Sequence, residues 1–290
     1  MSAAAPPPLS EISKSSYAGN IARFKRIGIN PADTTATMEY IKSMKSLNTQ
    51  KTYVVSILKW IAEDPAMESQ RTFYREKVKE MNTASLEFYK DQKLSEAEKT
   101  KYADWPYILE TAKQLYADPY VGDDDKLLVA LYTELAPVRV DYTNLRILRA
   151  PPTPDEGNYV VLRRKNPYIK LNNHKTAKYG AIMNKLPAAL KRRFMEYARD
   201  HPTETTLFEM EENAMSKRIT RIFRRYSDKK IGVNILRHSF ISHFLSKAPS
   251  LRDMEDLAAR MGHSVALQQL YRKMKDEKSS GDSSSDSDSD

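Results

Sequence analysis

The sequence predicts a mainly α chain that carries one small β-sheet or hairpin and divides into two domains. Three observations predict this. Apolar residues recur at spacings of three and four along most of the chain. Only YVVLRR (159–164) and YIKLNN (168–173), joined through Asn166-Pro167, alternate with a period of two. The length of 290 residues, 40% of them hydrophobic, suffices for two modest cores.

Taken in order, residues 1–12 are rich in Ala, Pro and Ser and read as a disordered arm that can bury little. Tyr17, Ile21 and Phe24 mark a first helix that stops at Gly28, with Asn30-Pro31 beyond it. Met38, Ile41 and Met44 mark a second, and Tyr53, Ile57 and Ile61 a third that ends before Pro65. A fourth runs from about Met67 to Tyr89, and Ser95 to Glu98 has the spacing of a capping box for the next. Residues 13–100 therefore read as a bundle of four or five helices. A second domain, 101–275, opens near Trp105-Pro106 with helices at 107–117 and 124–135, followed by the two strands. Helical patterns resume at Pro187 and continue through Tyr271, interrupted around Ser227 to Asn234 and near Pro249. Residues 276–290, DEKSSGDSSSDSDSD, read as a disordered acidic tail of solvated Ser and Asp.

Forty-seven Lys and Arg face 38 Asp and Glu, for a net charge of +9. The tail contributes −5, so the rest of the chain carries +14. Such a body suits a polyanion, because each neutralised phosphate releases condensed counterions. Cys is absent, which excludes disulfides, Cys-type zinc sites and a thiol nucleophile. No apolar run approaches the ~20 residues of a membrane span, and MSAAAPPPLS lacks the regions of a secretory signal. His174 and His243 have no partner at metal-ligand spacing, so no metal site is expected. The expected setting is intracellular.

Four segments carry chemistry. NILRHSFISHFL (234–245) places Arg237 beside His238 and Ser239 on a helix. DLAARMGHSVALQQLYRKM (256–274) follows, with a Met-Gly-His turn at 261–263 and Tyr271 eight residues after His263. Upstream, ALYTELAPVRVDYTNLRI (130–147) sets Arg139 just past a helix ended by Pro137, and NNHKTAKYG (172–180) follows the strands directly. This order resembles the catalytic boxes of the tyrosine recombinase (phage integrase-type) family, in which His-x-x-Arg-His-Thr/Ser precedes Leu-Gly-His and then Tyr. The RVDY form is closest to the variant of integrases from large DNA viruses and virophages. The resemblance spans about 139–274, and the N-terminal helices match the family's core-binding (SAM-like) domain by architecture only.

The resemblance implies a site-specific recombinase that cuts and rejoins DNA through a covalent 3′-phosphotyrosine, without metal, ATP or any other cofactor. Tyr271 would be the nucleophile, with Arg139 and Arg237 clamping the phosphate, since guanidinium groups offer rigid bidentate donors to developing negative charge. Lys175 would protonate the leaving 5′-hydroxyl, with Lys178 as its rival, and His263 would hydrogen-bond the scissile phosphate or assist proton transfer. Asn234 stands where the family has His; it can donate a hydrogen bond but carries no titratable proton. Lys178 and His238 are candidate DNA contacts, although His238, on a helix with Phe240, Ile241 and Phe244, reads first as a structural hydrogen-bonding residue.

The implied partner is double-stranded DNA, held in a C-shaped clamp by a homotetramer on two sites with a Holliday-junction intermediate. The segment around Tyr271 is a candidate for exchange between neighbours, and accessory DNA-bending proteins are further candidate partners. Three alternatives stand beside this reading. They are a catalytically silent DNA-binding protein of the same fold, a type IB topoisomerase or telomere-resolving enzyme, and a metal-dependent transposase, which would need an acidic triad on a larger sheet.

Overall fold

Helix starts in the first third of the chain are set by short polar side chains. Asp33 accepts from the Ala36 amide at 3.0 Å and Ser46 from the Thr49 amide at 3.1 Å, each meeting a donor that the first helical turn leaves unpaired. The computed structural model describes residues 11–90, 92, 94, 99–177, 180–203 and 205–273. Lys178, the Ser95 to Glu98 capping box, residues 1–10 and the acidic tail thus lie outside the described residues.

The chain divides into two units, Met1–Asp91 and Gln92–Asp290. The first holds α1 (Glu11–Arg26), α2 (Thr34–Lys42), α3 (Leu47–Trp60) and α4 (Glu68–Lys90). Its core joins Phe24, Met38, Ile41, Tyr53, Val54, Ile57, Ile61, Tyr74 and Met81. Phe24 meets Tyr53 edge-on with ring centroids 5.3 Å apart, and the buried Tyr74 hydroxyl donates to the Pro31 carbonyl at 3.0 Å.

The second unit begins with α5 (Trp105–Ala117), capped by Asp104, and α6 (Asp123–Thr133), whose first turn carries three Asp residues suited to the helix dipole. A sheet follows, and it is larger than the single alternating region predicts. Its strands are β1 (Leu145–Leu148), β2 (Asn158–Val161), β3 (Tyr168–Leu171), β4 (Ile182–Lys185) and β5 (Thr206–Leu207). They lie in the order β4-β3-β2-β1-β5, with β1 and β2 parallel and the other pairs antiparallel.

The missed strands have physical reasons. In β4, Ile182 and Asn184 face inward and Met183 and Lys185 outward, but the inward Asn184 is polar and donates to the Arg260 carbonyl at 3.2 Å. That buried amide hides the alternation. β1 is buried fully only at Leu145, and β5 has two residues. α7 (Ala188–Asp200) and α8 (Glu212–Phe223) flank β5, so the helical run expected from Pro187 breaks there as well.

The chain closes with α9 (Val233–Leu245), α10 (Leu251–Met261) and α11 (Val265–Tyr271). Behind them, Ala136, Ile241, Leu245, Leu257 and Met261 form a small core against which Tyr271 packs. Among the described residues no helix is long and apolar enough to cross a membrane.

Candidate active site

Arg139 leaves the end of α6 through Pro137 into a turn fastened by its own side chains. The Asp141 carboxylate accepts from the Arg139 amide at 3.1 Å, and the Tyr132 hydroxyl donates to the Arg139 carbonyl at 2.5 Å. Burial pushes the Asp141 carboxyl up from its ordinary value, against the opposing pull of His174, Arg139 and Arg237. Asp141 has no role in the motif pattern; its signal in the sequence is an acid two residues after Arg139.

Arg237 sits one turn into α9 and is 3% exposed. Its Nη1 donates to the Pro137 carbonyl at 3.0 Å, tying α9 to the loop that carries Arg139. Its Nη2 is buried without a partner. Burial, and then the charge of Arg139, lowers its pKa to about 10, so it stays cationic at neutral pH. Two like charges held together around an unfilled donor form a place that an anion stabilises.

His263 owes its position to the glycine before it. Gly262 ends α10 at φ 66°, and the amides of Gly262 and His263 bond back to the Ala259 and Ala258 carbonyls at 3.3 and 3.1 Å. The imidazole Nδ1–H donates to the Ser264 carbonyl at 3.3 Å, which leaves Nε2 as the acceptor nitrogen, buried and without a partner. Burial, then Arg237 and Arg139, lowers its pKa to about 4, so it is neutral at physiological pH.

Tyr271 ends α11. Its ring centroid lies 4.8 Å from that of His238, 5.9 Å from that of His263 and 5.9 Å from the Arg237 guanidinium carbon. The His238 Nδ1–H donates to the Tyr271 carbonyl at 2.9 Å, and the Ser242 hydroxyl accepts from the Lys273 amide at 2.7 Å. His238 thus has the structural hydrogen bond its helix suggested, and Ser242 was missed.

The structure brings together Arg139, Arg237, His238, His263 and Tyr271. It does not group Lys175 with them. Lys175 is exposed and lines a cavity of about 460 Å³ with Asn144, Arg146, His174 and Glu212. Asn234 is exposed on the first turn of α9. Outside the sequence motifs, Lys217, Arg221, Arg224, Arg225 and Lys230 line a cavity of about 540 Å³ along α8. Its signal was the spacing of four in Lys217, Arg221 and Arg225.

No protein-family model and no curated protein sequence matches the chain. Among solved structures, the chain is similar to a XerA recombinase at 14% identity, over 92% of this chain and 89% of that one, with a TM-score of 0.43. It is also similar to the Tn1549 transposon integrase in complex with a circular intermediate DNA, at 10% identity over 90% of this chain and 95% of that one, with a TM-score of 0.37.

Proposed function

We propose that this chain is a DNA strand-exchange enzyme of the tyrosine recombinase type, with Tyr271 as nucleophile. The observation that carries the reading is the convergence of a tyrosine, a neutral histidine and two arginines from three separate stretches of chain, around an unpartnered guanidinium donor. A phosphodiester fits this arrangement. Arg139 and Arg237 take its non-bridging oxygens, and the Tyr271 oxygen attacks phosphorus as the bond to the 5′-oxygen breaks. The tyrosine proton passes to His263 Nε2, the one ring nitrogen left as acceptor, and the leaving oxygen takes a proton from Lys175 or Lys178. The phosphotyrosine conserves the energy of the phosphodiester bond, so rejoining requires no ATP. The cationic cavity along α8 supports a grip on the DNA backbone away from the cut. Homotetramer assembly, accessory partners and a viral or mobile-element setting belong to the same proposal.

The test is incubation with a pool of nicked suicide duplexes in EDTA, comparing wild type with Tyr271→Phe. A protein-DNA adduct that survives denaturation and is lost in the variant is the expected outcome. Salt-sensitive DNA binding with no adduct from wild type, on a pool containing its target, overturns the proposal in favour of a catalytically silent DNA-binding protein. One observation favours that second reading: Asn234 carries no titratable proton.

A further inference from the structure

At the start of β2, the side chain of Asn158 is 6% exposed and turned inward. Its Nδ2 donates to the Asp141 carbonyl at 2.8 Å and to the Asn173 carbonyl at 2.9 Å, and its Oδ1 accepts from the Asn173 amide at 2.8 Å. Both donors and the acceptor of the amide are engaged, and they are shared between two remote segments. One is the turn carrying Arg139. The other is the turn between β3 and β4, which carries His174, Lys175 and Thr176. An aspartate in this place would lack both donors, and a glutamine would add a methylene to a packed site.

The β3–β4 turn reaches a third segment through Thr176. Its hydroxyl donates to the Gly262 carbonyl at 2.8 Å, and the His174 Nδ1 lies 3.1 Å from Thr176 Oγ1. The approach is close enough that a Cβ on Gly262 would come within 3.2 Å of Thr176 Oγ1 and 2.6 Å of Ile182 Cδ1. The loops bearing Arg139, Lys175 and His263 are therefore joined in series by two side chains outside the reactive cluster.

We infer that Asn158 and Thr176 are positioning residues: together they fasten the β3–β4 turn to the Arg139 turn on one side and to the Gly262-His263 turn on the other, and so set the spacing of the phosphate-binding groups. The inference rests on the strand-cleavage reading above. Phosphoryl transfer is sensitive to such spacing, because a misplacement of about 1 Å can cost roughly 10²-fold in rate.

The experiment uses the full chain and the variants Asn158→Ala, Thr176→Val and Thr176→Ser, with two readouts. Hydrogen exchange without DNA is expected to rise in 139–144 and 172–177 together for Asn158→Ala, and in 172–177 and 261–264 together for Thr176→Val, with α6 and α9 unchanged. Exchange that rises only around the substituted residue overturns the inference. Single-turnover adduct formation is expected to slow roughly 10- to 100-fold in Asn158→Ala and Thr176→Val at unchanged DNA affinity, and to recover in Thr176→Ser. Wild-type rates, or a loss seen only as a smaller reactive fraction at an unchanged rate constant, also overturn it. Absence of adduct from wild type overturns the cleavage reading alone, and the exchange result then decides whether the three loops are joined.

Discussion

His263 is the residue whose chemistry is most sharply set by its surroundings. Its pKa is lowered from 6.5 to about 4, so over that interval the unfolded chain binds a proton that the folded chain refuses. Stability from this group is therefore fully present above about 6.5 and is lost as pH falls toward 4, by roughly 3 kcal/mol in all. Thermal unfolding of wild type and His263→Gln across that window should show a smaller acid loss in the variant; parallel curves would contradict the assignment. Inorganic phosphate bound between Arg139 and Arg237 should raise this pKa, visible as a shift in the imidazole titration by NMR. Arg237→Lys keeps a charge but not the planar fork, and should lower adduct formation roughly 10²- to 10³-fold. Arg139, Arg237, His238, His263 and Tyr271, which the fold brings together, stand out in the sequence as distinctive types at distinctive spacings. Asn158, Thr176 and Ser242 do not, since a hydrogen-bonding joint is defined by partners remote in sequence.

At the scale of elements, the turn after α10 depends on a residue with no side chain. Gly262 has a positive φ of 66°, and an added Cβ would lie 2.6 Å from Ile182 Cδ1. Gly262→Ala should destabilise the protein by about 1–3 kcal/mol, read as a lower melting temperature, and should slow cleavage by displacing His263. Unchanged melting would contradict the packing described. The helices of the first unit were legible because their apolar faces repeat cleanly, as with Tyr53, Ile57 and Ile61. The sheet was legible only at β2 and β3. Asn184 stands at an inward position where a pattern of apolar residues would have an aliphatic one, and β5 is too short for periodicity to register.

For the whole molecule, net charge sets the expected behaviour toward a polyanion. A protein making about 6–10 phosphate contacts loses roughly 10³- to 10⁵-fold in affinity between about 50 and 200 mM salt, and this chain should show that steep dependence. Residues 276–290 subtract five charges from a body of +14. Removing them should tighten non-specific binding at low salt and leave it unchanged at high salt; equal affinity at low salt would rule out competition between tail and DNA. The hydrogen bonds made by α9 bear on tolerance to change. His238 and Ser242, one turn apart on the same face, hold the backbone on either side of Arg272, and Arg237 projects from that rod as well. The helix acts as a common datum in the machinist's sense: the Tyr271 backbone and the Arg237 guanidinium are both gauged from it, so dimensional errors elsewhere do not accumulate between them. One residue inserted between Arg237 and His238 would turn the gauge by about 100° and spoil every setting at once.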